Sequence, residues 1–370
     1  MHGGRDENNH ASQPVMIPRP LGIVADDLTG ACDAAVAFTP VCDPVRVQIT
    51  DRLSDPAWPL AVTTESRDLT PIEAEIRIVN VVKRLPPDIE LFKKIDSVFR
   101  GNTVTEIAAT LRQATFDLAV IAPAYPGLGR TVRDGILHIQ EADGDHVLPI
   151  GKLLTDAGCS FTTLSAGLTL DELAINLRHS LDQPIPTVLC DASMQSDLER
   201  VVRAARSLGK RILWVGSGGL AHALAAQLPL RKAKLAHQLH PGRTIFFIGS
   251  THPVTRAQVD HLRSSTDNAE LVPVTFGEAN ADDIRRAAAA HDPTQIGCLF
   301  MTGGDTAHFV CRVLGINALL LKREFAPGVP LAVAEGGRFD GVSVVLKSGG
   351  FGPPDLLCRL LETCHPEVIV

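Results

Sequence analysis

Short apolar runs alternate with segments of helical period along nearly the whole chain. Leu21–Ala25, Leu60–Thr63, Leu91–Ile95, Leu118–Ile121, Thr187–Leu189 and Ile212–Val215 read as buried strands. Helical segments separate them, including an Ala-rich one from Ala31. Another is begun by Pro71 and carries Ile72, Ile76 and Val79 on one face. Residues 229–242, rich in Lys, Arg, His and Pro and free of acidic residues, interrupt the pattern. It then restarts with strands Thr244–Ile248, Leu271–Val274, Cys298–Met301, Ala318–Leu321, Leu331–Ala334 and Val342–Leu346. Helices are expected from Pro253, Asp282, Asp305 and Pro353. The pattern predicts two consecutive α/β domains, with largely parallel or mixed sheets covered by helices. Their expected limits are residues 18–228 and 243–370, joined by a linker at 229–242 and preceded by a disordered tail at 1–17.

Composition narrows the function classes. A net charge of −7 leaves Arg231, Lys232 and Lys234 as the densest basic cluster, which is too little for a nucleic-acid binder. No apolar run approaches the ~20 residues that cross a bilayer. Met1–Ser12 has no apolar signal core, and the eight cysteines contain no Cys-x-x-Cys pair. A cytoplasmic protein with structural thiols, without membrane or nucleic-acid partners, is the resulting expectation; a homo-oligomer is compatible with it.

The chemistry-bearing residues cluster where strands end. Asp26 and Asp27 follow Leu21–Ala25 and precede Leu28-Thr29-Gly30, which places two carboxylates in a tight turn beyond a strand's carboxyl end. One is expected to face a ligand while the other braces the turn, by capping the next helix. A carboxylate there can bind hydroxyls or take a proton from one. Arg67 follows the second strand, and the end of the third carries Lys93-Lys94-Ile95-Asp96-Ser97, with Arg100 after it. Arg67, Lys94 and Arg100 suit an anionic group, with Asp96 and Ser97 beside them for hydroxyls. Lys93 and Lys94 lie on opposite faces of their strand, so only one is expected to serve. Tyr125, in the Pro/Gly loop Ala122–Arg130, reads as part of a rigid turn or of a lid.

Four glycine loops could approach phosphates: Gly216–Gly219, Gly249–His252, Thr302–Thr306 and Lys347–Gly352. No Gly-x4-Gly-Lys-Ser/Thr pattern occurs. Gly216-x-Gly218-x-x-Ala221 has the spacing of a dinucleotide-binding turn, which raises an NADP-dependent dehydrogenase as an alternative. The acidic residue wanted about 20 positions later is missing, since no Asp or Glu occurs between Glu199 and Asp260.

Together these motifs resemble the four-carbon acid sugar kinases. The resemblance rests on Ala25-Asp26-Asp27-Leu28-Thr29-Gly30-Ala31, on Lys94-Ile95-Asp96-Ser97-x-x-Arg100-Gly101-Asn102, and on Ala122-Pro123-Ala124-Tyr125-Pro126 with Gly129-Arg130. It continues in Gly249-Ser250, Thr302-Gly303-Gly304-Asp305-Thr306 and Lys347-Ser348-Gly349-Gly350-Phe351-Gly352. It implies transfer of the ATP γ-phosphate, with Mg²⁺, to the 4-hydroxyl of threonate, erythronate or 3-oxo-tetronate. By the same resemblance Asp26, Arg67 and Lys94–Ser97 hold the sugar acid. Ser250, Gly303, Gly304, Asp305, Thr306 and Gly349 hold ATP, with Lys347 and Gly350 in the same set. Asp26 or Asp27 acts on the attacking hydroxyl, with Asp26 favoured, and no metal ligands are assigned. Val98-Phe99 and Thr251-His252-Pro253 depart from the family's usual residues. A non-catalytic sensor of a sugar acid or nucleotide is the alternative of a different class.

Overall fold

The computed structural model describes residues 20–42, 45–49, 59–141, 144–230, 237–266, 269–275 and 278–364. The expected tail and residues 231–236 of the expected linker lie outside them. The strands are β1 (Leu21–Ala25), β2 (Val45–Gln48), β3 (Leu60–Thr63), β4 (Glu90–Lys94), β5 (Leu118–Ala122), β6 (Arg130–Arg133), β7 (Ile136–Glu141), β8 (Gly144–Leu148), β9 (Thr162–Leu164), β10 (Thr187–Cys190) and β11 (Ile212–Gly216). β12 (Arg243–Ile248), β13 (Glu270–Pro273), β14 (Ile296–Thr302), β15 (Ala318–Ala326), β16 (Val329–Glu335) and β17 (Ser343–Lys347) follow. The helices are α1 (Leu28–Val36), α2 (Pro71–Arg84), α3 (Thr103–Gln113), α4 (Ile150–Asp156), α5 (Leu170–Ser180), α6 (Gln195–Ser207), α7 (Gly218–Ala225), α8 (Pro253–Ser265), α9 (Glu278–Ala289), α10 (Gly304–Val313) and α11 (Leu356–Cys364).

Two α/β domains result, each with a largely parallel sheet. β2-β3-β1-β4-β11-β5-β10-β9 pair in parallel in the first, and β13-β12-β14-β17 in the second. The antiparallel strands β16 and β15 extend the second sheet, and β15 then pairs antiparallel with β2, so that Ala318 faces Gln48 and Leu321 faces Val45. The two sheets thereby become one of fourteen strands. A bidentate Arg46–Glu335 pair, at 2.5 and 2.7 Å, spans the seam. A single apolar cluster also crosses it, from Leu28 and Ala31 of α1 to Ala307 and Cys311 of α10.

The sequence pattern does not reveal this seam. β2 is four residues long and carries Arg46 and Gln48, so its apolar signal is only Val45 and Val47. The antiparallel sheet β6-β7-β8 is likewise hidden in the pattern; its strands mix Arg, His, Gln and Asp with apolar residues and lie partly in solvent.

α2 corrects another expectation. Thr70 and Glu73 form a reciprocal capping box and Pro71 occupies the first turn. The helix buries Ala74, Ile78 and Val82, while Ile72 and Ile76 are 73% and 54% exposed. Two apolar rows run along this helix at the same spacing, and periodicity alone cannot tell which one meets the sheet. The last helix begins at Leu356 rather than Pro353. Among the described residues, no helix is long and apolar enough to cross a membrane.

Candidate active site

The Asp26–Asp27 turn divides two tasks. Asp27 caps α1, where Oδ1 accepts the Gly30 N–H at 2.7 Å and Oδ2 accepts the Thr29 hydroxyl at 2.9 Å. Arg67 Nε donates to Asp26 at 2.7 Å, Nη1 donates to Asp27 at 2.6 Å, and Nη2 lies 3.6 Å from Asp96. Asp26 is buried, and its Oδ1 has no hydrogen-bond partner among the described residues. The bare face of Gly30 lies beside it. A Cβ there would stand 2.5 Å from Asp27 Oδ1, 3.4 Å from Lys94 Nζ and 3.8 Å from Asp26 Oδ1.

The electrostatics separate the two carboxylates. Burial pushes both upward. For Asp26 the positive charges of Arg67 and Lys93 outweigh burial and hold the carboxyl below its usual range. For Asp27 burial wins, helped by the charge of Asp26, and its pKa is raised. The Arg67 guanidinium is desolvated, but Asp27, Asp26 and Asp96 hold its proton all the more firmly.

The β4 lysines do point apart. Lys93 is fully buried and pairs with Glu106 of α3 at 2.6 Å. Lys94 turns to the Asp26 side, where Nζ donates to the Ile95 carbonyl at 2.9 Å and lies 3.7 Å from Asp33. Ile95 offers only backbone, since its side chain is buried. Asp96 Oδ1 accepts the Val98 and Arg100 N–H groups at 3.0 and 3.1 Å. Burial opposes its charge, but Arg100 and Arg67 outweigh that and depress its pKa strongly. Ser97 is buried beside it. Arg100 is not drawn to the Asp26 turn; it closes its own loop onto Asp96 at 2.6 Å, and its side chain is 54% exposed.

In the second domain three glycine loops meet at the ends of β12, β14 and β17. A Cβ on Gly249 would overlap Thr306, and one on Gly349 would overlap the Ser250 hydroxyl. Gly303 takes φ 99°, which side-chain-bearing residues avoid, and α10 starts after it with no side-chain cap. His252 caps α8, accepting the Val254 N–H on Nδ1 at 3.2 Å. Gly350 lies against its ring. Lys347 departs from the expectation of a phosphate ligand. It is fully buried, and its ammonium donates to Thr255 Oγ1 and the Gly349 carbonyl, each at 2.8 Å. Burial lowers its pKa to about 7. It supports the Gly349 loop from beneath.

The domains bring these two sets together. A Cβ on Gly304 would overlap the Asp27 carboxylate, and the Ser348 hydroxyl lies 3.3 Å from that of Thr29. Asp305 meets Asp68, and its pKa rises to about 7, through burial first and then the hydrogen bond and charge of Asp68. Glu65, Asp68 and His308 are members of this contact that the sequence pattern did not single out. The acidic pair flanking Arg67 after β3 was the available signal.

Asp305 makes stability pH-dependent. Its folded-state pKa lies above the ordinary 3.8, so the folded chain keeps a proton that the unfolded chain has lost. The associated stability is complete below about pH 4 and lost as pH rises to about 7. Asp305→Asn is expected to flatten that part of a Tm-against-pH curve; an unchanged slope would contradict the assignment.

Mg²⁺ is commonly held by one or two carboxylates plus substrate phosphates. Asp68 and Asp305, two carboxylates in contact with each other, fit that donor set, although the described residues contain no group of three His, Cys, Asp or Glu side chains placed for a metal. The dinucleotide-like turn fits its suggested ligand less well. Cβ atoms on Gly216, Gly218 and Gly219 would stand 2.6, 2.5 and 2.5 Å from Ala122 O, Tyr125 Cε1 and Ala124 O. Those glycines serve close packing of β11 and α7 on the 122–125 loop, where Tyr125 is buried rather than forming a lid.

Residues 21–224 match the family described as a sugar-binding N-terminal domain, and residues 278–357 match a nucleotide-binding C-terminal domain. The chain is 32% identical to a D-threonate kinase of Bordetella bronchiseptica, over 92% of this chain and 96% of that one. It is 26% identical to a 3-oxo-tetronate kinase of Cupriavidus necator, again over 92% and 96%. A solved Haemophilus influenzae protein shares the fold, with a TM-score of 0.68 at 20% identity over 94% of this chain and 100% of that one.

Proposed function

The chain belongs to the four-carbon acid sugar kinase family, and we propose that it transfers the γ-phosphate of ATP to the 4-hydroxyl of a tetronate, threonate being the first candidate. The observation that carries this reading is the buried, unpartnered Oδ1 of Asp26, on a carboxylate held ionised and in a turn that touches the Gly304 end of α10. An ionised carboxylate with a free oxygen is what a general base needs. Lys94 would take the sugar acid's own carboxylate beside Arg67, which already serves Asp26 and Asp27, and Ser97 beside Asp96 would meet its hydroxyls. The bare N–H groups of Gly304–Thr306, with Ser250 and Gly349, suit the phosphates.

Asp26 takes the proton from the attacking hydroxyl, while Asp27 keeps the turn in place. Asp68 and Asp305 would hold Mg²⁺, which supplies charge neutralisation on the phosphates. Substrate and nucleotide meet between the domains, where excluding water would favour transfer over hydrolysis.

ADP release in the presence of ATP and Mg²⁺ tests this reading across threonate, erythronate and 3-oxo-tetronate. Turnover strictly dependent on one of them is expected. Tight binding of a tetronate without turnover would instead favour a non-catalytic sensor, and NADP binding would favour a dehydrogenase.

A further inference from the structure

Glu65 has φ 46°, one of three non-glycine residues with positive φ among the described residues. A glutamate gains nothing locally from that conformation, which persists where surrounding contacts over-determine it. Here they do. Oε1 accepts the Thr63 hydroxyl at 2.5 Å, and Oε2 lies 3.1 Å from Nδ1 of His308, with the two side chains 14% and 18% exposed. Thr63 ends β3 in the first domain, whereas His308 lies on α10 in the second.

The turn at Glu65 sends its side chain to α10 and returns the main chain to the Asp26 strand end. The Thr64 N–H donates to the Ala25 carbonyl at 2.9 Å, and the Ser66 N–H donates to the Asp26 carbonyl at 3.0 Å. Arg67, the next residue, then reaches Asp26, Asp27 and Asp96. On the other side, His308 stands one helical turn beyond Gly304, the residue that abuts Asp27. The contact thus ties the arm carrying Arg67 to the helix whose first turn faces the phosphates.

We infer that His308 and Glu65 are a positioning pair, setting the register between the Arg67 arm and the first turn of α10 without touching substrate or nucleotide. The inference rests on the proposed kinase reading for its effect on turnover, and on the geometry of residues 63–67 for its structural part. Misplacement of aligned reactants by about an ångström costs on the order of 100-fold in rate, so loss of one anchor among several should slow the chemical step rather than weaken either ligand.

The test uses His308→Ala, Glu65→Ala, their double variant and His308→Asn, whose amide nitrogen can stand where Nδ1 does. Each alanine variant is expected to lower kcat about tenfold, with the KM values for ATP and the tetronate little changed. The double variant should be no slower than the worse single one, because both remove the same contact. His308→Asn should recover most of the loss. Multiplicative single effects, a rise confined to KM, or no recovery with Asn would overturn the inference. Hydrogen exchange of residues 64–68 separates this outcome from failure of the kinase reading. If the wild type turns over no sugar acid, faster exchange at Ser66 and Arg67 in His308→Ala still supports the pair, and unchanged exchange refutes it.

Discussion

Asp26→Asn is expected to lower turnover by about 100- to 10,000-fold, the range over which a positioned general base acts. The amide keeps the size of the carboxylate and its bond from Arg67 Nε, so the circular dichroism spectrum should not change. What it loses is the ionised Oδ1 that faces no protein partner. Asp27→Asn should behave differently. Its amide oxygen can still accept the Gly30 N–H, but its NH2 cannot accept from Thr29 and Arg67 as Oδ2 does, so the substitution should lower Tm along with activity. Equal, small effects of the two substitutions on kcat would remove Asp26 from the base role. Because Arg67 and Lys93 outweigh burial and depress its pKa, Asp26 should remain ionised down through the usual carboxylate range. A fall in kcat on acidification should therefore appear only below about pH 4 if Asp26 alone controls it.

Lys93→Met is expected to cost about 3–5 kcal/mol of stability, read as a shift of the urea midpoint. Lys93 and Glu106 are 0% and 1% exposed and pair at 2.6 Å inside the sheet–helix interface. Removing the ammonium leaves the Glu106 carboxylate buried without its counter-charge. It also removes one of the charges that keep Asp26 ionised, so the acid limb of kcat should move to higher pH. Lys93→Met combined with Glu106→Leu should restore much of the stability, since it removes both buried charges. A single variant as stable as the wild type would show that the pair carries little weight.

Much of this site is legible in the sequence for a physical reason. Residues at the carboxyl ends of parallel strands converge on one crevice, so Asp26, Arg67 and Lys94 can be placed there from the apolar runs before them. The glycine loops of the second domain are legible in the same way. The role of Lys347 is not, because a strand-end lysine can point into the cleft or beneath a loop, and only packing decides. Arg100 and the two apolar rows of α2 show the same ambiguity. The seam between β2 and β15 is hidden because four residues with two polar members carry almost no periodic signal. Glu65, Asp68 and His308 are not legible there because their meaning lies in contacts between domains, between residues far apart in the chain.

The most direct test of the central claim is the identity of the product. After incubation with ATP, Mg²⁺ and threonate, phosphorus–proton coupling in the NMR spectrum should place the new phosphate on the C4 methylene, with one ADP formed per phosphoester. ADP formed at the same rate without any sugar acid, or phosphate found on the carboxylate, would contradict it.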